Sequence, residues 1–169
     1  MQIIETERLF LRQINEDDAE FILELVNEPG WKRNIGDRGI RTPDAARECI
    51  LNIYIASYEK FGFGLYLVGL KDSNVPIGIC GLIKRDSLED VDIGFAFLER
   101  FWSRGFAAES AAAVMDYAQN ALELKRIVAI TVPDNFGSIK VLEKIGMRFE
   151  KMVKMSDDAE EIKLFARDL

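Results

Sequence analysis

The chain has 169 residues, 49% of them apolar, and this length and composition predict one folded domain over residues 1–169 with a full hydrophobic core. It contains no histidine, which excludes a Ser-His-Asp triad, a Cys-His dyad and a histidine-ligated metal, and we expect no metal site. The net charge of −7 disfavours a nucleic-acid partner, and short apolar runs without a signal-peptide pattern predict a cytoplasmic protein with no membrane partner.

The first sixty residues predict one strand and two helices, with a loop between the helices. Residues 7–14 alternate as in a strand, and Asn15 is a typical cap for a short amphipathic helix. Residues 28–41 contain one proline, three glycines and no periodicity, which predicts either a functional loop or a solvated connection with Trp31 on the core. Thr42-Pro43 begins a second helix that we expect to extend to about Lys60. The predicted buried face of that helix consists of Ala46, Ile50, Ile53, Tyr54 and Ser57.

From residue 65 onward, strands predominate and two further helices are inserted between them. The predicted strands cover residues 65–70, 75–84, 91–97, 127–132, 148–155 and 161–167, and the two helices follow residues 102–107 and Asn135. The whole order is β-α-α-β-β-β-α-β-α-β-β. It predicts a mixed α/β (or α+β) sheet with helices on both faces.

The turn from Trp102 to Ala107 joins a predicted strand to an alanine-rich helix. Such a turn directs unpaired backbone N–H groups to one place at the positive end of the helix dipole. Gly105 and Ala107 keep the backbone accessible, and Arg104 adds a charge that can reach phosphate oxygens. The pattern therefore indicates either a pyrophosphate-binding nest or an ordinary strand-to-helix turn that happens to contain glycine and arginine.

The strand before this turn carries an aspartate on a face of small residues. Asp92 alternates with Ile93 and shares its face with Gly94 and Ala96, so that face is nearly bare. Aspartate is depleted in strands, and partial burial would raise the pKa of its carboxyl group toward that of a useful base. Asp92 is therefore either a general base or a sheet-edge aspartate that continues the acidic turn before it. The bare face is either space for a ligand or packing surface for a helix.

Four segments, taken together and in this order, resemble the Gcn5-related N-acetyltransferase family. They are Thr6-Glu7-Arg8-Leu9-x-Leu11-Arg12, Asn27-Glu28-Pro29, the Trp102 to Ala107 loop, and Asn135-x-x-Ser138-x-x-x-Leu142-Glu143-Lys144-Ile145-Gly146-Met147. The family's acyl-CoA loop begins with Gln or Arg. Trp102 in that place is similar to the branch that acetylates ribosomal-protein N-termini, and Ser103 replaces that branch's glycine.

The resemblance implies a mixed, mostly antiparallel sheet of about seven strands flanked by four helices, and acetyl-CoA as the co-substrate. In the family the pantetheine arm pairs with the strand before the loop, and a backbone N–H of that strand polarises the thioester carbonyl. The residues implied to hold acetyl-CoA are Phe95, Ala96, Phe97, Trp102, Ser103, Arg104, Gly105, Phe106, Ala107, Asn135, Phe136 and Ser138. Asn135 and Phe136 have structural alternatives, as a helix cap and a core aromatic. Lys144 either reaches a CoA phosphate or is solvated.

The resemblance also implies catalytic roles. Asp92 stands where the branch often has a glutamate and would deprotonate the amine. The family's general acid is a tyrosine, and Leu142 occupies its position, so Ser138 is the substitute we expect to assist the leaving thiolate.

The implied activity is transfer of an acetyl group to a primary amine by direct attack in a ternary complex. The acceptor is a protein N-terminus or a small-molecule amine, residues 28–41 are a candidate acceptor site, and the enzyme is a monomer or a homodimer. The alternative is a non-catalytic acyl-CoA sensor or interaction module. A nucleotide-binding protein ranks below both, because the chain has neither phosphate-loop nor dinucleotide fingerprint.

Overall fold

One eight-stranded sheet contains every strand of the chain. The computed structural model describes residues 1–169. The strands are β1 (Gln2–Glu5), β2 (Leu9–Gln13), β3 (Leu65–Leu70), β4 (Pro76–Ile83), β5 (Asp92–Phe97), β6 (Arg126–Thr131), β7 (Arg148–Val153) and β8 (Ile162–Asp168). Their order across the sheet is β1-β2-β3-β4-β5-β6-β8-β7, and every neighbouring pair is antiparallel except β5 and β6.

The helices lie between these strands, and none of them has the length and apolar character that a membrane crossing needs. They are α1 (Ala19–Val26), α2 (Pro29–Asn34), α3 (Pro43–Cys49), α4 (Ala56–Phe61), α5 (Phe106–Asn120) and α6 (Phe136–Lys144). Short 3₁₀ turns at Glu16–Asp18 and Glu99–Phe101 precede α1 and the turn before α5. The mixed, mostly antiparallel fold class predicted from the sequence is confirmed.

The sheet has one strand more than the predicted seven, because the predicted first strand is the second strand of an N-terminal hairpin. Residues 7–14 were expected to begin the sheet, whereas Gln2–Glu5 forms an additional edge strand that pairs with β2 through Ile4 and Leu11. The strand is only four residues long and none of its residues is fully buried, so it lacks the alternation that identifies a strand in sequence.

The prediction of a loop over residues 28–41 is wrong for its first half, because Pro29–Asn34 forms α2. Pro29 occupies the first turn, where its fixed φ suits a helix and its missing N–H costs nothing. The Gly30 N–H donates to the Glu99 carboxylate at 2.9 Å, and Trp31 is buried with only 6% of its surface exposed. Contacts distant in sequence stabilise this helix, which explains why residues 28–41 show no helical period.

The helix predicted from Thr42 to Lys60 is present but contains a π-helical segment at Ile50–Ile55 that joins α3 to α4. The wider π turns rotate the side chains relative to an α-helical register. Tyr54 is 2% exposed as expected, whereas Ile53, which was predicted to be buried, is 45% exposed. The helix ends at Gly62, which adopts a left-handed conformation with φ +79°.

Hydrophobic side chains fill both faces of the sheet. On one face, Tyr66 and Val68 of β3 pack in a cluster with Val114 and Met115 of α5. On the other face, Leu67 of β3 packs in a second cluster with residues of α1 and α3. This alternation follows from the period of two in a strand. Burial of each large apolar side chain contributes about 1.5–3 kcal/mol, so the two layers together hold the sheet between its helices.

Gly81 of β4 leaves no room for a side chain beside the start of β3. A Cβ atom added there would lie 2.1 Å from the Gly64 carbonyl oxygen, which accepts the Leu82 N–H at 3.0 Å. We expect Gly81→Ala to lower the free energy of unfolding by about 1–3 kcal/mol, because the backbone must shift to relieve the clash. Gly137→Ala is the comparison, since its Cβ would meet nothing closer than 4.0 Å. Urea unfolding curves that coincide for the two variants would contradict this packing argument.

Candidate active site

The two central strands β5 and β6 separate after a single paired position. They are parallel, and only Asp92 and Val128 are in register, with the Val128 N–H donating to the Val91 carbonyl at 3.0 Å. Beyond this point β5 stays paired with β4 as far as Phe97, and β6 stays paired with β8 as far as Thr131. A gap therefore opens in the middle of the sheet, between two strands that are each held on their outer side.

Backbone groups of β5 face this gap. The Leu98 N–H donates to the Ile77 carbonyl on the β4 side, so the alternation of an antiparallel ladder directs the backbone of Phe95 and Phe97 toward β6. The Trp102 indole N–H donates a hydrogen bond to the Phe97 carbonyl at 2.8 Å, so this carbonyl already has a partner. The N–H groups of Phe95 and Phe97 and the carbonyl of Phe95 remain directed at the gap, where an extended ligand can pair with them.

The turn before α5 presents a series of free backbone donors. Gly105 caps the helix with φ +82°, and Ser103 also adopts a positive φ of 61°. The six N–H groups of residues 103–108 donate to no acceptor in the protein. Consecutive free N–H groups in such a left-handed turn, at the N-terminus of a fifteen-residue helix, have the arrangement of an anion-binding nest in other proteins.

Polar contacts between the N-terminal hairpin and α5 hold this turn in place. The Arg8 guanidinium donates to the Arg104 carbonyl at 3.0 Å, pairs with Glu109 at 2.7 Å and lies 4.4 Å above the Phe106 ring. Glu109 also accepts from the Thr6 hydroxyl at 2.6 Å. Burial alone would raise the pKa of Glu109, but these hydrogen bonds outweigh it and hold the pKa below its usual value. Sequence reasoning missed Glu109, whose only signal is its place in the first helical turn.

A cavity of about 700 Å³ connects the strand gap, the turn and the N-terminal end of α6. Most residues predicted to hold acetyl-CoA line it, together with the predicted base: Asp92, Phe95, Ala96, Phe97, Trp102, Ser103, Gly105, Phe106, Ala107, Asn135 and Ser138. Arg104 and Phe136 do not. The Arg104 guanidinium lies 5.5 Å from the centre of the Phe101 ring, and Phe136 is 67% exposed on the surface.

Asp92 is the only carboxylate that lines the cavity, and it is 1% exposed. Burial raises the pKa of its carboxyl group to about 6, although the charges of Arg85 and Lys84 and a hydrogen bond from Arg85 Nε at 2.9 Å lower it. The alternative of a sheet-edge aspartate is wrong, because β5 lies between β4 and β6. Sequence reasoning missed Arg85, whose signal was a basic residue in the turn that precedes the strand.

The N-terminus of α6 forms the opposite wall. The Asn135 side-chain oxygen accepts the Ser138 N–H at 3.3 Å, so the predicted cap is confirmed. The Ser138 hydroxyl makes no hydrogen bond within the protein and remains available to a ligand. Leu142 is 2% exposed and belongs to the core, and none of the four tyrosines of the chain lines the cavity. No tyrosine therefore lines the cavity in place of the general acid that the resembled family uses.

The segment at residues 28–41 both packs on the core and forms part of the cavity wall. Trp31 packs in the cluster formed with α1 and α3, and it also lines the cavity. Asn34, Ile35 and Arg38 also line the cavity. Lys140 and Lys144 line the α6 side, and Lys140 was missed because a lysine on an exposed helix face has no distinctive signal.

Comparison with known proteins places this architecture in a family. A sequence profile described as "Acetyltransferase (GNAT) domain" matches residues 8–148. The uncharacterized N-acetyltransferase YoaA of Bacillus subtilis is 30% identical over 154 residues, which cover 90% of this chain and 86% of that protein. The crystal structure of a GNAT-family acetyltransferase from Bacillus anthracis aligns with a TM-score of 0.82 at 26% identity, covering 99% of this chain and 98% of that one.

A structure with a bound ligand has the same fold. RimL, a ribosomal L7/L12 α-N-protein acetyltransferase solved in complex with coenzyme A, aligns with a TM-score of 0.84 at 19% identity, covering 100% of this chain and 98% of that one. An identity this low establishes the shared fold alone. Membership in the family rests on the sequence profile, which matches most of the chain. The chain belongs to the GNAT family of acetyltransferases.

Proposed function

We propose that this protein is an acetyl-CoA-dependent N-acetyltransferase that moves the acetyl group directly to a primary amine in a ternary complex. The observation that carries this proposal is the meeting, in one cavity, of a strand gap, a helix-capping turn with six free N–H groups and a buried carboxylate. Each of these features supports one requirement of the reaction: positioning of the acyl donor, binding of its phosphates and removal of a proton.

The cavity fits acetyl-CoA through its backbone as well as its side chains. The free backbone groups of Phe95 and Phe97 suit the amides of a pantetheine arm, which would pair with β5 as an additional strand. The donors of residues 103–108 suit a pyrophosphate. Lys140 and Lys144 on α6 supply charges for further phosphate oxygens. The coenzyme A complex of RimL, which has the same fold, is consistent with this arrangement.

In this proposal Asp92 accepts the proton of the attacking amine, directly or through one water molecule. With a pKa of about 6, its carboxylate is mostly ionised at neutral pH and still basic enough to receive a proton. A bond forms between the amine nitrogen and the acyl carbon, the carbon–sulfur bond breaks, and the electron pair leaves with the sulfur. A backbone N–H of β5 at the gap stabilises the charge that develops on the carbonyl oxygen.

The leaving thiolate needs a partner other than a phenol. Ser138 lies in the first turn of α6, where its free hydroxyl and the positive end of the helix dipole both favour an anion. We assign to Ser138 a hydrogen bond to the thiolate sulfur. Since a thiolate is a fair leaving group, this assistance need not include full proton transfer.

The second candidate function is a non-catalytic acyl-CoA sensor, which the buried Leu142 and the absence of tyrosine from the cavity favour. The two functions differ in one measurement, thiol release from acetyl-CoA in the presence of amines and short peptides with varied N-termini. We expect release with at least one acceptor class. Tight acetyl-CoA binding with release no faster than background for every acceptor would favour the sensor instead.

The anion nest can be tested without disturbing its backbone. Gly105 is unsuitable for substitution, because its positive φ would strain any other residue. Ala108 is suitable, because it lies in the first turn of α5 and lines the cavity. A carboxylate there suits the helix dipole, so Ala108→Glu should fold normally but repel the phosphates. We expect its acetyl-CoA affinity, measured by calorimetry, to fall by at least about tenfold. Ala112→Glu, one turn further along and outside the cavity, is the control, and equal affinities for the two variants would remove the nest from the binding site.

The base can be tested through the pH dependence of kcat/KM. Asp92 must be ionised to accept a proton, so activity should decline as the pH falls through about 6. Asp92→Asn should remove this decline and lower kcat by roughly 10²- to 10⁴-fold. Arg85→Gln removes a charge that lowers the pKa of Asp92, so the decline should move to higher pH. Asp86→Asn in the same turn is the control, and an unchanged profile in Asp92→Asn would place the base elsewhere.

The role of Ser138 predicts a separation of rate from binding. We expect Ser138→Ala to lower kcat by roughly tenfold, since a hydrogen bond to a charged group contributes about 1.5–3 kcal/mol. The Kd for acetyl-CoA should stay unchanged, because the bond strengthens only as charge develops on sulfur. A stopped-flow measurement of thiol release at saturating substrates tests this. If kcat is unchanged while the affinity falls, Ser138 binds the ground state and does not assist the leaving group.

A further inference from the structure

The cavity has a positively charged lining, although the protein as a whole is acidic. Five charged side chains line it, namely Arg38, Arg85, Lys140, Lys144 and Asp92, so four cations face one carboxylate, although the whole chain has a net charge of −7. Net charge alone would weakly favour a cationic substrate. The distribution of charge points the other way, because a ligand experiences the local field of the cavity and not the average of the surface.

The four cations divide between the two sides of the cavity. Lys140 and Lys144 belong to α6, beside the nest proposed to bind the phosphates of acetyl-CoA. Arg85 is hydrogen-bonded to Asp92, whose side chain shares a face of β5 with Ala96. Ala96 packs against the cluster that contains Trp31, and that face of the sheet is the one covered by α1 and α3.

Arg38 belongs to this second side. Its guanidinium lies 5.8 Å from the centre of the Trp31 ring, and both residues line the cavity. Arg38 takes part in no ion pair, unlike Arg41, which is paired with Asp37 at 2.6 Å. Of the two cations on the side of the proposed base, Arg85 is paired with Asp92 and Arg38 has no counter-charge in the protein.

The donors on this side exceed the acceptors. Arg85 uses only Nε to bind Asp92, so its two terminal nitrogens have no partner in the protein. The indole N–H of Trp31 is buried without a hydrogen-bond partner, and the Asn34 amide also lines the wall. Asp92, the single carboxylate, is already paired with Arg85. An anionic acceptor on a bound molecule would pair with the two guanidinium groups, whereas a further cation would be repelled by them.

We infer that the acceptor amine carries a carboxylate group, which Arg38 and the free nitrogens of Arg85 bind while the amine faces Asp92. This inference rests on the proposed function and specifies its substrate class. Guanidinium groups pair with carboxylates through two parallel hydrogen bonds, which would orient the acceptor as well as hold it. The same cations disfavour the charged form of a nearby ammonium group, which eases its deprotonation by Asp92.

Two sources supply this chemistry: a free amino acid, and a peptide N-terminus followed by an acidic side chain. Polyamines and aminoglycoside-like polycations lack it. The test compares acceptors that differ only in charge. Methionine is paired with methioninamide, and the amidated dipeptide Ala-Asp with Ala-Asn, while spermidine represents the polycations. The α-amide lowers the pKa of its amine and increases the free base, so a preference for methionine cannot come from intrinsic reactivity.

We expect kcat/KM from thiol release to favour the carboxylate member of at least one pair by roughly tenfold, the usual effect of a charge-assisted hydrogen bond. Preference within the amino-acid pair identifies a free amino acid, and preference within the dipeptide pair identifies a peptide N-terminus. Arg38→Gln should raise KM for the preferred acceptor by a similar factor, with little change in kcat or in KM for the amide. Arg38→Lys should retain part of the preference, because lysine keeps the positive charge but cannot form the two parallel hydrogen bonds of a guanidinium group.

Arg33→Gln is the matched control, since Arg33 is exposed on α2 and does not line the cavity. Binding of acetyl-CoA should stay unchanged in every variant. Faster release with the amides or with spermidine, or an Arg38→Gln enzyme that keeps the carboxylate preference, would overturn this inference and leave the proposed function intact. Absence of release with every acceptor would overturn both.

Discussion

The site depends on one constraint, the end of pairing between β5 and β6 after Asp92 and Val128. A sheet interrupted at its centre leaves backbone donors and acceptors without partners, and each such group costs about 1–3 kcal/mol if it is also shut away from water. The protein tolerates the gap because β4 and β8 hold the outer edges of the two strands and because the gap opens into a cavity. The proposed strand-like ligand would pair with the exposed groups without any rearrangement of the sheet, because these groups already face the gap.

The same strand carries the carboxylate, and its ionisation opposes folding. The pKa of Asp92 rises from its usual 3.8 to about 6 because burial outweighs the attraction of Arg85. The folded state therefore binds this proton more tightly than the unfolded chain, and the stability contributed by Asp92 declines as the pH rises from about 4 to 6. At neutral pH the protein holds a charge that its interior disfavours. Such a cost is typical of a residue retained for chemistry, because a neutral side chain of similar size would pack there more favourably.

Sequence periodicity and turn chemistry were sufficient to predict most of the fold. Strands such as Leu65–Leu70 matched their predicted bounds, and the cap at Asn135 was confirmed, because both depend on residues close together in the chain. The failures share a different cause. Helix α2 is held by a contact from Glu99, and the turn before α5 is fixed by Arg8 and Glu109, which are 101 residues apart. Arg38 had no distinctive pattern, and the place of Arg85 in the turn before β5 did not show that the folded chain brings both residues to the cavity of Asp92.

The tryptophan at the start of the turn connects the two sides of the cavity. Its indole N–H holds the Phe97 carbonyl on the strand proposed to bind acetyl-CoA, and its ring lies so close to Gly30 that an added Cβ would be 2.6 Å from it. Glu99, in the 3₁₀ turn before Trp102, accepts the Gly30 N–H. Helix α2 is therefore fixed to the end of β5 through two independent contacts, one with Glu99 and one with Trp102. The transfer proposed above requires two substrates within contact distance of each other, and this coupling would supply a rigid relation between the two proposed sites. A glutamine or arginine side chain at residue 102 would lack the broad ring that packs on Gly30, which gives the tryptophan a structural reason as well as a family resemblance.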